Sequence, residues 1–429
     1  MAIEPIQLPL GWKRSTLGNI AKGFCSGGTP STKNEKLWQG SIPWITSKWL
    51  NSKLYLDSGE KFISEEAVRQ SATAVVPRGN LIFATRVGVG KVAINRLNLA
   101  INQDLAGILL DSEQYDSAFL AYQLRSERIQ NTVASHKRGA TIQGITRDSL
   151  KEIEVYLPPL PDQKKIALVL ETVQRAIEEQ ERLLQLTTEL KKSLLHRLFT
   201  EGLRCEPQKM TEIGLVPESW ETVKIGSLGT VITGTTPKTK VPEYCLPPEV
   251  DFLAPGDLGQ TRQIYNSERK ISQCGLQVIR GLPKDAIMCV CIGSSIGKMG
   301  MTYKRESATN QQINSIICNK QHNPTFVYFL LLHFAEYWRN FATFGPVPIL
   351  NKGSFEAINI MTPSTKDEEL EIAQYLTAVD TKIEEYMCRK TLLTDLFRTL
   401  LHQLMTAQIR VHDLDLPDLK GTIEEEVRI

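Results

Sequence analysis

The sequence has no apolar run long enough to cross a bilayer. Its longest mostly apolar stretch, residues 326–334, falls far short of the roughly 20 residues that a spanning helix needs. The opening MAIEPIQLPLGWKR has neither the basic nor the apolar region of a signal peptide. Cysteine is sparse: eight are scattered between Cys25 and Cys388. The only close pair, Cys289-x-Cys291, lies in the apolar run AIMCVCI, where reduced core thiols are expected rather than a metal site or disulfide. These absences predict a cytoplasmic protein without a membrane partner. An excess of one charge is lacking too. A net charge of +2 over 429 residues argues against a uniformly basic nucleic-acid coat protein.

Catalytic motifs are missing as well. Residues 293–299, GSSIGKM, resemble a phosphate-binding loop but have one residue too few between the glycines, and Met299 stands where Mg²⁺ needs Ser or Thr. Asn323-Pro324-Thr325-Phe326 lacks the second proline of the amino-methyltransferase loop and is expected instead to open a helix. Pro161-Asp162 with Glu189-x-Lys191 mimics a nuclease signature, yet along one helix these carboxylates lie about 40 Å apart. The six histidines show no metal-ligand spacing. His196 and His402, near two predicted helix ends, read as packing or helix-dipole residues. The sequence therefore predicts no catalytic residue, metal or cofactor in this chain.

What is present is a duplicated architecture. Residues 162–199 contain neither Pro nor Gly and place Ile166, Leu170, Val173, Ile177, Leu184, Leu194 and Leu198 at helical spacing, the pattern of a helix with a narrow apolar seam. An offset of 206 carries this seam onto Ile372, Leu376, Val379, Ile383, Lys390, Leu400 and Leu404, with Leu393 and Phe397 extending it. The repeat reaches the globular segments too. Gly27-Gly28-Thr29-Pro30 returns as Gly234-Thr235-Thr236-Pro237, Gly90-Lys91 as Gly297-Lys298, and Asn102-Gln103 as Asn310-Gln311. Offsets held this close along the chain indicate internal duplication.

Each globular half reads as mixed α and β. Residues 80–84, 92–94 and 105–110, then 286–292 and 313–318, have strand character; residues 117–133 and 326–341 have helix character. The expected class is α+β: two mixed α/β domains separated by two long antiparallel helices forming a coiled coil, with pseudo-twofold symmetry. The expected boundaries are 1–157 and 206–363 for the domains, 158–205 for the first spacer helix, and 364–429 for the second spacer helix with an acidic tail. Net charges of +5, +1, +2 and −6 over residues 1–157, 158–205, 206–363 and 364–429 put the positive charge in the globular parts, as phosphate contact requires. A 38-residue helix makes a rod of roughly 57 Å at about 1.5 Å per residue. Two domains so spaced can meet DNA about one helical turn apart.

The polar loop residues suit bases and phosphates. In the first half the candidates are Lys33, Lys36, Trp38 and Lys48, then Arg86, Lys91, Asn102 and Gln103, then Lys137, Arg138 and Gln143. In the second half they are Lys238, Lys240, Arg262, Ser294, Ser295, Lys298, Lys304, Asn310, Gln311 and Gln312. Arg and Lys pair with guanine edges or phosphates, and Asn and Gln pair with adenine. Asn102 and Asn310 can alternatively tie down a turn.

Four motifs carry a family resemblance: Gly27-Gly28-Thr29-Pro30; Trp38-x-Gly40-x-Ile42-Pro43-Trp44; residues 88–94, GVGKVAI, with Asn102-Gln103; and Leu157-Pro158-Pro159-Leu160-Pro161-x-Gln163. Together with the order domain, helix, domain, helix, they resemble the specificity subunit of type I restriction-modification systems. The second half departs at Leu246-Pro247-Pro248, Phe252-Leu253 and Thr362-Pro363-Ser364-Thr365. The resemblance implies a non-catalytic subunit that reads an asymmetric two-part site in double-stranded DNA. It also implies two DNA adenine methyltransferase subunits and restriction subunits as partners, which would carry S-adenosylmethionine, ATP and Mg²⁺. Alternative classes are a duplicated coiled-coil adaptor that never meets DNA, an enzyme with an unrecognised site, and the specificity subunit of a related methyltransferase-only or phage-defence system. Salt-dependent DNA binding separates the adaptor, and activity of the chain alone separates the enzyme.

Overall fold

The computed structural model describes residues 8–50, 53–137, 144–343 and 345–413. The chain divides into two compact units, residues 1–179 with 391–429 and residues 180–390. Each unit holds one globular segment and part of both long helices.

In the first unit a five-stranded sheet runs in the order Ala21–Ser26, Leu105–Leu110, Leu81–Ala84, Val92–Asn95, Tyr55–Leu56, antiparallel except for its last pair. A four-stranded sheet has the order Lys61–Ile63, Ile42–Ile45, Leu99–Ile101, Ala74–Val76. Leu81–Ala84 and Val92–Asn95 are buried along their whole length, which explains their continuous rather than alternating apolar pattern. The second unit repeats both sheets in the same order and sense. Its five strands are Gly229–Thr233, Ile313–Cys318, Ile287–Val290, Met299–Thr302 and Gln263–Ile264, and its four are Arg269–Ile271, Val250–Leu253, Ser307–Thr309 and Gly281–Leu282. Cys289 and Cys291 are buried free thiols.

Two helices expected as single pieces are broken. Residues 117–133 fold as Ser117–Arg125 and Glu127–Ser135, because Ser126 turns extended (ψ 148°) and donates its hydroxyl to the Gln123 carbonyl at 2.6 Å. Residues 326–341 fold as Pro324–His333 and Ala335–Arg339, interrupted at Phe334. Asn323 opens the former by accepting from the Phe326 amide at 3.0 Å.

The long helices are Leu160–Glu201 and Lys366–Met405. Within the first unit, Leu404 and Met405 share a core with Ile166 and Leu170, and Phe397 and Leu400 pack against it. Within the second, Lys390 meets Glu181 at 2.9 Å and Lys191 meets Asp380 at 2.5 Å. As one number rises the other falls, so the helices run antiparallel. Every residue assigned to the seams is buried or half-buried. Each helix start is bolted in the same way. Gln163 accepts from the Asp116 amide at 3.0 Å, and its counterpart Glu369 accepts from the Asn323 amide at 2.7 Å.

Near the end of the first helix, Phe199 stacks on His333 (5.2 Å) with His196 6.1 Å from the same ring. Burial first, and the neighbouring His196 second, push the His333 pKa down to about 4. The unfolded chain then binds one proton more than the folded one between about pH 6.5 and 4. Stability of this unit is expected to fall with acidification across that window, by up to about 1.4 kcal/mol per pH unit from this group. His333→Gln should remove that part of the slope in denaturant melts at stepped pH. An unchanged slope refutes the assignment.

Candidate nucleic-acid interface

In each unit the two sheets converge on one turn. In the first, the Asn102 amide donates to the Ile45 carbonyl (3.1 Å), Gly28 to Ile101 (3.0 Å) and Thr85 to Asp104 (2.8 Å). These bonds gather the ends of four strands around residues 102–104. The Thr29 hydroxyl donates to Gln103 Oε1 at 2.6 Å, and Arg147 donates to Ser26 Oγ. Gly27 is required by proximity, since a Cβ there would sit 2.1 Å from the Ile101 carbonyl oxygen. The second unit has the same lock. Asn310 donates to the Leu253 carbonyl (3.2 Å), Thr236 donates to Gln311 Oε1 (2.8 Å), and a Cβ on Gly234 would meet the Asn310 carbonyl at 2.1 Å.

Around this turn the first unit presents exposed Gln103, exposed Arg86 beside Thr85, and exposed Lys48 just beyond Ile45. Lys33 and Lys36 are exposed on the loop that follows Pro30. Trp38 lies edge-on to Trp44 at 5.1 Å and donates its indole N–H to the Ser31 carbonyl, which gives it a packing role in that loop. Lys91 is exposed at the end of the turn after Ala84, and Lys137 is exposed beyond the helix Glu127–Ser135. Arg138 and Gln143 lie outside the described residues. In the second unit, Gln311 and Ser294 are exposed, and Gln312 and Ser295 are half-buried. The Cys291 amide donates to the Gln312 carbonyl (2.8 Å), which brings these two loops together. Lys238 and Lys240 are exposed after Pro237, and Lys298 is exposed at the close of the 293–298 turn.

Besides Trp38, Gln103 and Gln311, further candidates have intramolecular partners. Asn102, 4% exposed, accepts from the Asp104 amide and donates to the Asp104 carboxylate. Asn310 does the same with Gln312. Both are turn ties, the alternative that their residue type allowed. Lys304 lies 2.6 Å from the buried Asp251 carboxylate. Arg262 is 3.3 Å from Asp380, whose other oxygen meets Lys191. Among the described residues no group of three or more His, Cys, Asp or Glu is arranged to hold a metal ion.

The Lys191, Asp380 and Arg262 cluster went unread in the sequence. The available signal was that Lys191 falls where the offset of 206 places Phe397, a seam position. A lysine in an apolar seam calls for a carboxylate opposite. The three side chains are 18%, 6% and 11% exposed, so removing the acid strands two cations in a low-dielectric site. Asp380→Ala is expected to destabilise the second unit by about 3 kcal/mol or more. Asp380→Asn, which keeps an acceptor, should lose less. Equal, small losses for both in chemical denaturation would show that the cluster is not coupled.

The family profile of the type I restriction modification DNA specificity domain matches residues 9–188 and 217–390. The MjaIX specificity subunit of Methanocaldococcus jannaschii, a type I restriction enzyme component, is 28% identical over 238 residues, covering 53% of this chain and 54% of that protein. The putative MjaX specificity subunit of the same organism is 26% identical over 348 residues, 78% of this chain and 79% of its own length. The chain thus spans about half of the first relative and about four fifths of the second. Among solved structures, the S subunit of a type I restriction-modification system from M. genitalium shares the fold with a TM-score of 0.64 at 16% identity, over 94% of this chain and 98% of that one. With two copies of the profile covering both globular halves and much of both helices, the chain belongs to the type I restriction-modification DNA specificity family.

Proposed function

We propose that the chain is the DNA-recognition subunit of a type I restriction-modification complex. It reads an asymmetric two-part site through two target-recognition domains, residues 1–157 and 206–363, on the spacer segments 158–205 and 364–429. The observation that carries this reading is the duplicated polar turn. Thr29 with Gln103, and Thr236 with Gln311, hold an exposed amide at the same place in two copies of one fold. The loops around them differ, with Lys33, Lys36 and Lys48 in one copy and Lys238 and Lys240 in the other. Like scaffolds with unlike loops fit two different half-sites. Gln amides read adenine edges and the lysines meet phosphates.

The chain supplies recognition; methylation of adenine N6 from S-adenosylmethionine, and ATP- and Mg²⁺-dependent cleavage, belong to partner subunits. Two methyltransferase subunits fit the duplication. Leu186 and Leu190 on the first long helix are 50% and 56% exposed, and their counterparts at offset 206, Leu392 and Leu396, are 64% and 45% exposed. Repeated exposed apolar pairs at i, i+4 suit one copy of the same partner on each. On this reading the subunit works where the DNA is, in the cytoplasm.

Expression in a methylation-free host, with and without the methyltransferase encoded beside it, should leave N6-methyladenine in a two-part asymmetric motif only when both are present. Methylation by the chain alone, or no motif with a competent partner, defeats the reading. In the same complex, Leu186→Lys with Leu190→Lys should remove one methyltransferase copy by mass measurement, and Leu392→Lys with Leu396→Lys the other. Retention of both copies in both variants would move the partner surface elsewhere.

A further inference from the structure

The second unit holds a cavity of about 460 Å³ between the 293–298 turn and the long helices. Lys191, Arg262, Lys298 and Arg339 outnumber Asp380 and Glu384 in its wall. Asp380 is taken by Lys191 and Arg262, and Glu384 accepts from the Tyr265 hydroxyl at 3.3 Å. Lys298 and Arg339 are exposed, and among the described residues the side chain of neither has an ion-pair or hydrogen-bond partner. Both flank Gly297, held at φ +98°, where a Cβ would come within 2.5 Å of Arg339 Cδ. Within the turn, Ile296 donates to Gly293, Gly297 to Val290 and Lys298 to Ser295. The amides and hydroxyls of Ser294 and Ser295 have no acceptor among the described residues. Two cations, two hydroxyls and two amides of the wall thus have no internal acceptor, while its two carboxylates, Asp380 and Glu384, are bonded to Lys191, Arg262 and Tyr265; the unpaired groups are the donor set of a phosphate site.

The first unit shows that this is not a general feature of the fold. Its equivalent cavity is lined by Gly90, Lys91, Arg125, Gln130, Gln174 and Phe397, and the Arg125 guanidinium there is bonded to the Val92 and Lys53 carbonyls. Gln130 takes the place of Arg339 against the glycine and donates to the Gly90 and Leu124 carbonyls at 2.9 and 2.7 Å. Its amide is spent internally and carries no charge.

We propose that the cavity beside the 293–298 turn is a phosphate-anion site of the second domain, held by Lys298, Arg339 and the Ser294 and Ser295 groups. The phosphate is either a DNA backbone phosphate or a free phosphate. The DNA source rests on the function proposed above, because the turn adjoins Gln312, whose Nε2 lies 3.7 Å from the Cβ position of Gly293. The site itself does not depend on that function.

The test compares the full chain with Arg339→Gln, which installs the residue type of the first copy, and with Lys298→Gln. Thermal midpoints are read with inorganic phosphate against chloride at equal ionic strength. Salt dependence of binding to the methylome-defined duplex is read on the assembled complex. Both variants should melt like the wild type in chloride, which shows that they fold. If DNA supplies the phosphate, each variant lowers the slope of log K against log salt by about one unit. If free phosphate is the ligand, the slope stays and the phosphate-dependent rise in midpoint is lost. A rise that persists in both variants with unchanged slopes, or no rise in the wild type with unchanged slopes, overturns the proposal. A complex that binds no duplex defeats the recognition function, while the melting arm still decides the site.

Discussion

The apolar seam of the long helices is the constraint on which the rest depends. Neither helix can bury its narrow stripe alone, and an isolated amphipathic helix is marginal in water. Each stretch therefore closes the core of the unit it passes through. Ile166 and Leu170 do so with Leu404 in the first unit, and Leu195, Leu198 and Phe199 do so with Ile372 and Leu376 in the second. Lysines interrupt the seam once per helix, at Lys191 and Lys390, and each finds a carboxylate on the other helix. Such pairs add little net stability because desolvation offsets their attraction. The Lys191–Asp380 pair does penalise a one-turn slip, which would leave buried Asp380 without its partner on the other helix.

The two copies agree where the backbone must pass close and differ where a side chain reaches outward. A Cβ on Gly27 or on Gly234 would meet a carbonyl oxygen at the same 2.1 Å, and the hydroxyl-to-amide bonds repeat. The fastening of each domain to the helices has diverged. In the first unit Tyr55 donates to Glu171. At the corresponding place in the second, Arg262 enters the cluster with Asp380 and Lys191. A duplicated chain can change such fastenings one domain at a time, because the two cores are separate.

The seam, the repeat and the central strands were legible because each rests on periodicity, which a sequence displays directly. The breaks at Ser126 and Phe334 were not, since both sit in helix-compatible runs and only packing against the sheet turns the chain there. The loops were legible in chemistry but not in direction. Asn102 and Gln103 are adjacent and alike in donors and acceptors, yet one bonds its own turn and the other is exposed. Lys304 and Lys240 carry the same charge, and only the first has a buried aspartate beneath it. Arg339 was invisible because its place against Gly297 joins residues 42 positions apart.

Under the proposed function, the Thr29 and Thr236 bonds would let an amide on a turn discriminate between bases. A free glutamine side chain loses rotamer entropy on binding, on the order of 1 kcal/mol or more, and its amide can present either end to a base. Here the Thr hydroxyl donates to Oε1 in both copies, which fixes the oxygen inward and leaves the Nε2 donors outward, with one lone pair still open on the oxygen. In that proposed role an adenine edge, with an acceptor beside a donor, matches the arrangement, whereas a guanine edge offers two acceptors and turns one of them toward the open lone pair. Under the proposed function, specificity on this scaffold would come from holding a common side chain still.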